Sequence, residues 1–244
     1  AFRGLRALNT IKFPATLKSI GGSAFYSCNN LDSLDLSNTQ VSELGTRAFY
    51  SCSYLRSVSL PASLKKIGSY AFHDCALNSI NLSNVETIGD NAFESCNLYD
   101  IDLSSAKTIG SKAFTNNATV TIDSSTPAAI TANSFTQDTR FIVPSNAYDA
   151  FCTASIWRNW ANNISMYNVG DDDVKWIYRY LSGTNSMSIT SASGYGKNLV
   201  IPSFFSHNGS DVPVTQLECS FSRDSIISVT LPSNLKSIGS YMFR

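Results

Sequence analysis

Apolar residues recur along the chain with a long, regular period. Phe2, Phe25, Phe49, Phe72, Phe93, Phe114 and Phe135 follow one another at steps of 23, 24, 23, 21, 21 and 21 residues. Ala precedes the first six and Ser134 the seventh, and Phe221 and Phe243 resume the series after a gap. Other apolar positions keep phase with the Phe. Phe25 is followed by Cys28, Leu31, Leu34, Leu36 and Leu44, and Phe49 by Cys52, Leu55, Val58, Leu60, Leu64 and Ile67. A unit this short cannot bury its apolar face alone, so the columns predict stacked coils that share one core. Within the units, "SVSL" (57–60), "SINL" (79–82) and "DIDL" (100–103) alternate polar and apolar residues, the period of a half-buried strand. One strand per repeat, stacked at about 4.8 Å, predicts a parallel sheet along one side. Gly21, Gly45, Gly68, Gly89 and Gly110 follow the Ile or Leu column and predict a turn with unusual dihedrals or a close backbone approach.

The series breaks after Phe135. In "VPSNAYDAFCTASIWRNWANNI" (143–164), Tyr148, Phe151, Cys152, Trp157 and Trp160 have roughly helical spacing, and Ser145 is placed to cap a helix after Pro144. Solenoids need end units that shield the last core layer. "YNVGDDD" (167–173) predicts a linker, and "VKWIYRYL" (174–181) with "SMSIT" (186–190) predicts a β-hairpin. The organisation expected is a first repeat array over 1–143, a helical and aromatic capping segment over 144–165, a linker and β-hairpin over 166–198, and the start of a second array over 199–244.

These repeats resemble the BspA-like, or treponemal-type, leucine-rich repeat, over about 1–143 and 199–244. The resemblance implies a leucine-rich-repeat solenoid of the α/β type: a right-handed superhelix with one short parallel strand per repeat, interrupted by the helical cap and the hairpin. It also implies a surface or secreted protein of a host-associated bacterium. Its role would be adhesion or protein–protein interaction, with a host matrix protein or another surface protein as partner. A structural spacer or self-associating layer is the alternative.

Composition narrows the partners. Lys and Arg total 18, as do Asp and Glu, so the formal charge is zero, which argues against nucleic acid or an anionic membrane surface as partner. Charged residues are 15% of the chain, with Ser, Asn and Thr in their place, a profile that suits an extracellular or cell-surface location. No apolar run approaches the roughly 18 residues of a membrane span. The first and last repeats are incomplete, which predicts a fragment of a longer chain, with head-to-tail self-association as a second reading.

Candidate chemistry is sparse. Cys28, Cys52, Cys75 and Cys96 share a column that holds Leu5 in the first repeat, and zinc-type spacing is absent. They read as buried thiols acting as small hydrophobes, against a metal site or a disulfide ladder. His73 and Asp74 beside Cys75 suggest a nucleophilic group. Their equivalents are Tyr26-Ser27, Tyr50-Ser51 and Glu94-Ser95, so both read as solvent-facing filler, and His207 reads as an exposed loop residue. "DDD" (171–173) reads as solvated linker rather than a calcium site. No catalytic, cofactor or metal site is expected. The strand alternation turns Thr10 and Lys12, Ser33 and Asp35, Ser57 and Ser59, Ser79 and Asn81, Asp100 and Asp102, and Thr119 and Thr121 outward, with Arg56 and Tyr99 at the edge. From this face Lys12, Asp35, Arg56, Ser59, Asn81, Tyr99, Asp100 and Asp102 are the candidate ligand-binding residues.

Overall fold

The computed structural model describes residues 2–116, 118–169, 174–221, 226–240 and 242. The chain divides into two compact units. One comprises Ala1–Phe141 with Ala150–Asn163, and the other Ile142–Asp149 with Ile164–Arg244.

The first unit is a stack of parallel coils. Two columns of short strands run along it, where the sequence predicts one. The first column consists of Ser19–Ile20, Glu43–Leu44, Lys66–Ile67, Thr87–Ile88, Thr108–Ile109 and Ala129–Ile130, paired in parallel register so that the Ile and Leu residues stack. The second pairs Ser33–Asp35 with Ser57–Ser59, and Asp100–Asp102 with Thr119–Thr121. The expected strand at 79–82 does not form, although Ile80 and Leu82 are buried. Strands of two residues next to glycine are too short to show a period in sequence, which is why the first column went unpredicted.

Among the described residues the third side carries no helix, so the coils form a β-solenoid rather than the α/β repeat that the resemblance implies. The backbone there enters the left-handed region on each side of the Phe in the coils of Phe25, Phe49, Phe72 and Phe93. Ser23, Arg47, Tyr70, Asn91 and Lys112 have φ of +52 to +60°, and Ser27, Ser51, Asp74 and Ser95, four residues later, have φ of +52 to +65°. Alternate amides therefore point at the next coil instead of four residues back along their own. The amides of Ser23, Phe25 and Ser27 donate to the carbonyls of Thr46, Ala48 and Tyr50 at 2.8–2.9 Å, and the next coil repeats this with Arg47, Phe49 and Ser51. Each left-handed non-glycine residue costs about 1 kcal/mol, which the inter-coil ladder offsets.

The glycine column is a close approach. A Cβ on Gly68 would lie 2.7 Å from the Thr46 nitrogen, and one on Gly89 would lie 2.5 Å from the Ser69 nitrogen. The glycines keep negative φ, and the unusual dihedrals fall on their non-glycine neighbours.

Six ring pairs from Phe2 to Phe135 stack with centroids 5.2–5.5 Å apart and planes within 10° of parallel. Beside them runs the cysteine column. Each thiol donates to the carbonyl of the Phe one coil back: Cys28 to Phe2, Cys52 to Phe25, Cys75 to Phe49 and Cys96 to Phe72, at 3.0–3.2 Å. None of the six cysteines is in a disulfide.

At Phe135 the stack ends against rings turned edge-on: Phe141 at 5.0 Å and Trp160 at 6.4 Å, with Trp157 tilted at 6.0 Å. The same residues satisfy the last coil's carbonyls. Trp157 donates to Ala128, Trp160 to Thr136, and the Asn163 amide to Gln137 and Thr139. Only Tyr148–Thr153 of this segment is α-helix, and Trp157–Asn163 is a 3-10 helix. Ser145 does not cap: it lies inside a 3-10 turn, Ser145–Ala147, whose N-cap residue is Pro144 and which has no side-chain cap.

In the second unit, Ile164–Val169, Lys175–Leu181 and Ser186–Ser193 form an antiparallel meander with a bulge at Ile177/Tyr178. Tyr167–Val169 is therefore strand where a linker was expected, and 170–173, including "DDD", lie outside the described residues. Ser186–Ser193 pairs in parallel with Ser210–Leu217, which turns back on Phe204–His207 through Asn208 and Gly209, both at positive φ. His207 thus ends a strand, half-buried beside Tyr148 and Tyr180, rather than lying in an exposed loop. The two-column pattern reappears where Asn198–Val200 pairs with Ser228–Thr230 and Ser210–Leu217 with Ser237–Ile238.

Candidate functional site

The outward face of the second strand column is the surface that the sequence singles out. Asp35 and Ser59 are cross-strand partners in the 33–35/57–59 pair, and Asp100 and Asp102 lie on the separate 100–102/119–121 pair. Lys12 and Asn81 are exposed on irregular backbone. The eight candidates therefore share a side of the coils without converging on one point.

Three of them hold up their own loops. The Asp35 carboxylate accepts from the backbone amide and hydroxyl of Ser37 at 2.9 and 2.7 Å. Asn81 does the same with Ser83, and Asp102 with Ser104. The hydroxyl and then the amide of Ser37 hold the Asp35 carboxyl below its ordinary value. "DLS", "NLS" and "DLS" are thus one recurring Asx-turn at the same place in each coil, a signal present in the sequence but not recognised there. Of the rest, Arg56 stands 4.0 Å from Asp32 with both side chains mostly exposed, a weak pair. Tyr99 is 56% exposed, and its hydroxyl accepts from the Asn97 amide at 2.7 Å.

The Cys75-His73-Asp74 group comes apart. Cys75 is buried, and burial pushes its thiol well above the ordinary value, so the thiolate needed of a nucleophile is disfavoured. Asp74 accepts from the Ser51 hydroxyl at 3.0 Å. His73 is not solvent-facing filler. Its ring lies flat on Tyr50 at 4.6 Å, its side chain is 18% exposed, and Nε2 sits 3.3 Å from a Glu94 carboxylate oxygen. The missed signal is that the position after Phe holds a ring in three successive coils, Tyr26, Tyr50 and His73.

The first strand column carries a ladder of ion pairs, Glu43–Lys66 at 2.8 Å, and Lys65 and Lys107 on Glu86 at 3.5 and 2.6 Å. An open groove of about 450 Å³ borders it, lined by Glu86, Ser104, Lys107, Ser124 and Thr126 together with Ala106, Pro127 and Ala128. Lys107, then Lys65, hold the Glu86 carboxyl below its ordinary value. Among the described residues no group of three or more His, Cys, Asp or Glu is arranged to hold a metal ion.

No curated protein matches the chain. Among solved structures it is similar to a leucine-rich repeat protein from Bacteroides ovatus, at 14% identity over 98% of this chain and 52% of that one, with a TM-score of 0.45. It is also similar to a leucine rich cell surface protein from Faecalibacterium prausnitzii, at 17% identity over 94% of this chain and 67% of that one, with a TM-score of 0.34. It spans about half the length of the first. The model of the BspA type leucine rich repeat region matches in six copies, over residues 1–99, 65–147 and 215–244. Those residues bracket the stacked coils and the coil that restarts near the end: the chain belongs to the BspA-type leucine-rich repeat family.

Proposed function

We propose that this chain is a non-catalytic interaction module of a bacterial cell-surface or secreted protein. It binds a protein ligand, either a host matrix component or another surface protein. One observation carries the reading. The coils stack in register, so that equivalent residues line up from coil to coil, while the cysteines, glycines and Asx-turn residues are occupied in building the coils. That arrangement presents a broad ordered surface and gathers no nucleophile, base and oxyanion donors around a common point. On the strand face, Lys12, Arg56, Ser59, Tyr99 and Asp100 are the contact residues, and Asp35, Asn81 and Asp102 are the frame that sets their height. An extracellular location belongs to the same reading. Among the described residues no helix is long and apolar enough to cross a membrane.

The test is a binding screen with the 244-residue chain displayed multivalently on beads, against immobilised matrix proteins and whole cells. Saturable binding that Tyr99→Ala with Asp100→Asn weakens supports the reading. Binding to nothing, with light scattering that grows with concentration, would replace it with a self-associating spacer.

A further inference from the structure

The residue after each core Phe points out of the coil, and on the first coils these residues form a second stack. Tyr26 lies on Tyr50 at 4.9 Å and Tyr50 on His73 at 4.6 Å, each pair within 7° of parallel. The Arg3 guanidinium covers the Tyr26 ring at 4.5 Å. Alongside, the Arg47 guanidinium sits 5.2 Å over the ring of Tyr70, which itself leans on Tyr50 and His73. Arg3, Arg6 and Arg47 are exposed, and Tyr26, Tyr50 and Tyr70 are half-buried.

The charge on this edge is uneven. Turn segments 2–5, 21–28 and 45–52 contain Arg3 and Arg47 and no acidic residue. The next two, 68–75 and 89–96, contain Asp74, Asp90 and Glu94 and no Lys or Arg. Arg3 and Arg47 make no ion pair among the described residues, as is also true of Lys12, Lys18, Lys112 and Arg140, but of these only Arg3 and Arg47 lie over tyrosine rings. The first coils thus hold a tyrosine-rich patch on which Arg3 and Arg47 make no ion pair among the described residues, with the carboxylate of Asp74 at its border engaged by the Ser51 hydroxyl.

The chemistry of the patch selects its occupant. The ring faces are spent on each other and on the guanidiniums, so they offer no flat platform for a sugar. Arg3 and Arg47 are exposed, and planar guanidinium forks match carboxylates in bidentate fashion. Stacking fixes Arg3 and Arg47 before a ligand arrives, which lowers the entropy lost on binding. Tyr and Arg are also the residue types that dominate interface energetics, and the strand face has few of either. We propose that this turn edge, built by Arg3, Tyr26, Arg47, Tyr50 and Tyr70, is a docking surface for a carboxylate-rich segment of a protein partner. The inference rests on the chain being a protein-interaction module.

The experiment uses the 244-residue chain and a fluorescein-labelled oligoglutamate peptide, with anisotropy read at physiological ionic strength. Arg3→Gln with Arg47→Gln weakens binding about tenfold or more while leaving the melting temperature unchanged, and Arg140→Gln, at an exposed arginine outside both proposed surfaces, leaves the affinity as it was. Raising the salt weakens the unsubstituted chain and barely affects the double variant. Equal binding by the double variant overturns the proposal. So does a heparin oligosaccharide that binds and loses affinity in the double variant while oligoglutamate does not bind, which would make the edge a glycan site. In the matrix screen, a ligand lost with Tyr99→Ala but kept by the double variant overturns this edge alone. No ligand in either assay overturns the module reading with it.

Discussion

Phe25 and Tyr26 are neighbours in the chain, and each starts a stack. The Phe rings repeat at 5.2–5.5 Å and the outer rings at 4.6–4.9 Å, so by geometry alone the two columns are alike. They differ in what surrounds them. Phe49, Phe72 and Phe93 are wholly buried, and every coil from Phe2 to Phe135 keeps its Phe. The outer column runs Arg3, Tyr26, Tyr50, His73, Glu94 and Thr115. A missing ring in the core leaves a cavity that nothing fills, whereas a missing ring outside is replaced by water. Strict repetition in this sequence therefore marks burial, and the outer column keeps the same order with freedom to vary its chemistry.

The largest effect should separate the two columns. Phe72→Ala is expected to cost about 3–5 kcal/mol, and Tyr50→Ala about 0.5–1.5 kcal/mol, both by urea unfolding. Similar losses from the two would mean that the outer stack bears as much of the stability as the core. Next come the glycines. Gly89→Ala forces a Cβ onto backbone that cannot move aside and should cost about 1–3 kcal/mol or more. Gly21→Ala, with nothing within 4 Å of its Cβ, should stay within about 0.5 kcal/mol. Equal costs would remove close approach as the reason for the column.

The cysteine column adds a pH test. Burial pushes the Cys52 thiol up from its ordinary 9.0 to about 12, and Cys96 likewise. The folded pKa lies above the unfolded one, so the folded chain keeps a proton that the unfolded chain releases. That contribution is intact below pH 9 and is lost as the pH rises toward 12, at about 1.4 kcal/mol per pH unit for each thiol. Stability measured from pH 8 to 10.5 should fall less steeply in Cys52→Ala than in the parent chain. An unchanged slope would mean that the thiol is not sealed from water. The smallest effect is expected on the strand face, where Asp35→Asn keeps the acceptor for Ser37 and Asp35→Ala removes it. Only the second should increase amide exchange at Ser37. Faster exchange in both would show that the turn depends on the charge rather than on the acceptor.

The sequence by itself determined the repeat, its phase and the buried columns, because burial constrains side-chain type and side-chain type is what a sequence records. It also set which way Ser57, Ser59, Asp100 and Asp102 face, through the period of a strand. It did not reveal the second strand column or the helix-free third side. Those rest on backbone amides and carbonyls, which every residue of the turn segments carries alike. Nor did it place His73, since the contact with Tyr50 joins residues 23 apart and depends on the coils stacking in register. The Asx-turns at Asp35, Asn81 and Asp102 were legible but looked like binding chemistry, because a carboxylate on a surface has the same letter whether it awaits a ligand or accepts from its own chain. Tertiary structure alone decided which of the exposed charges were already satisfied, and so where Arg3 and Arg47 stand apart.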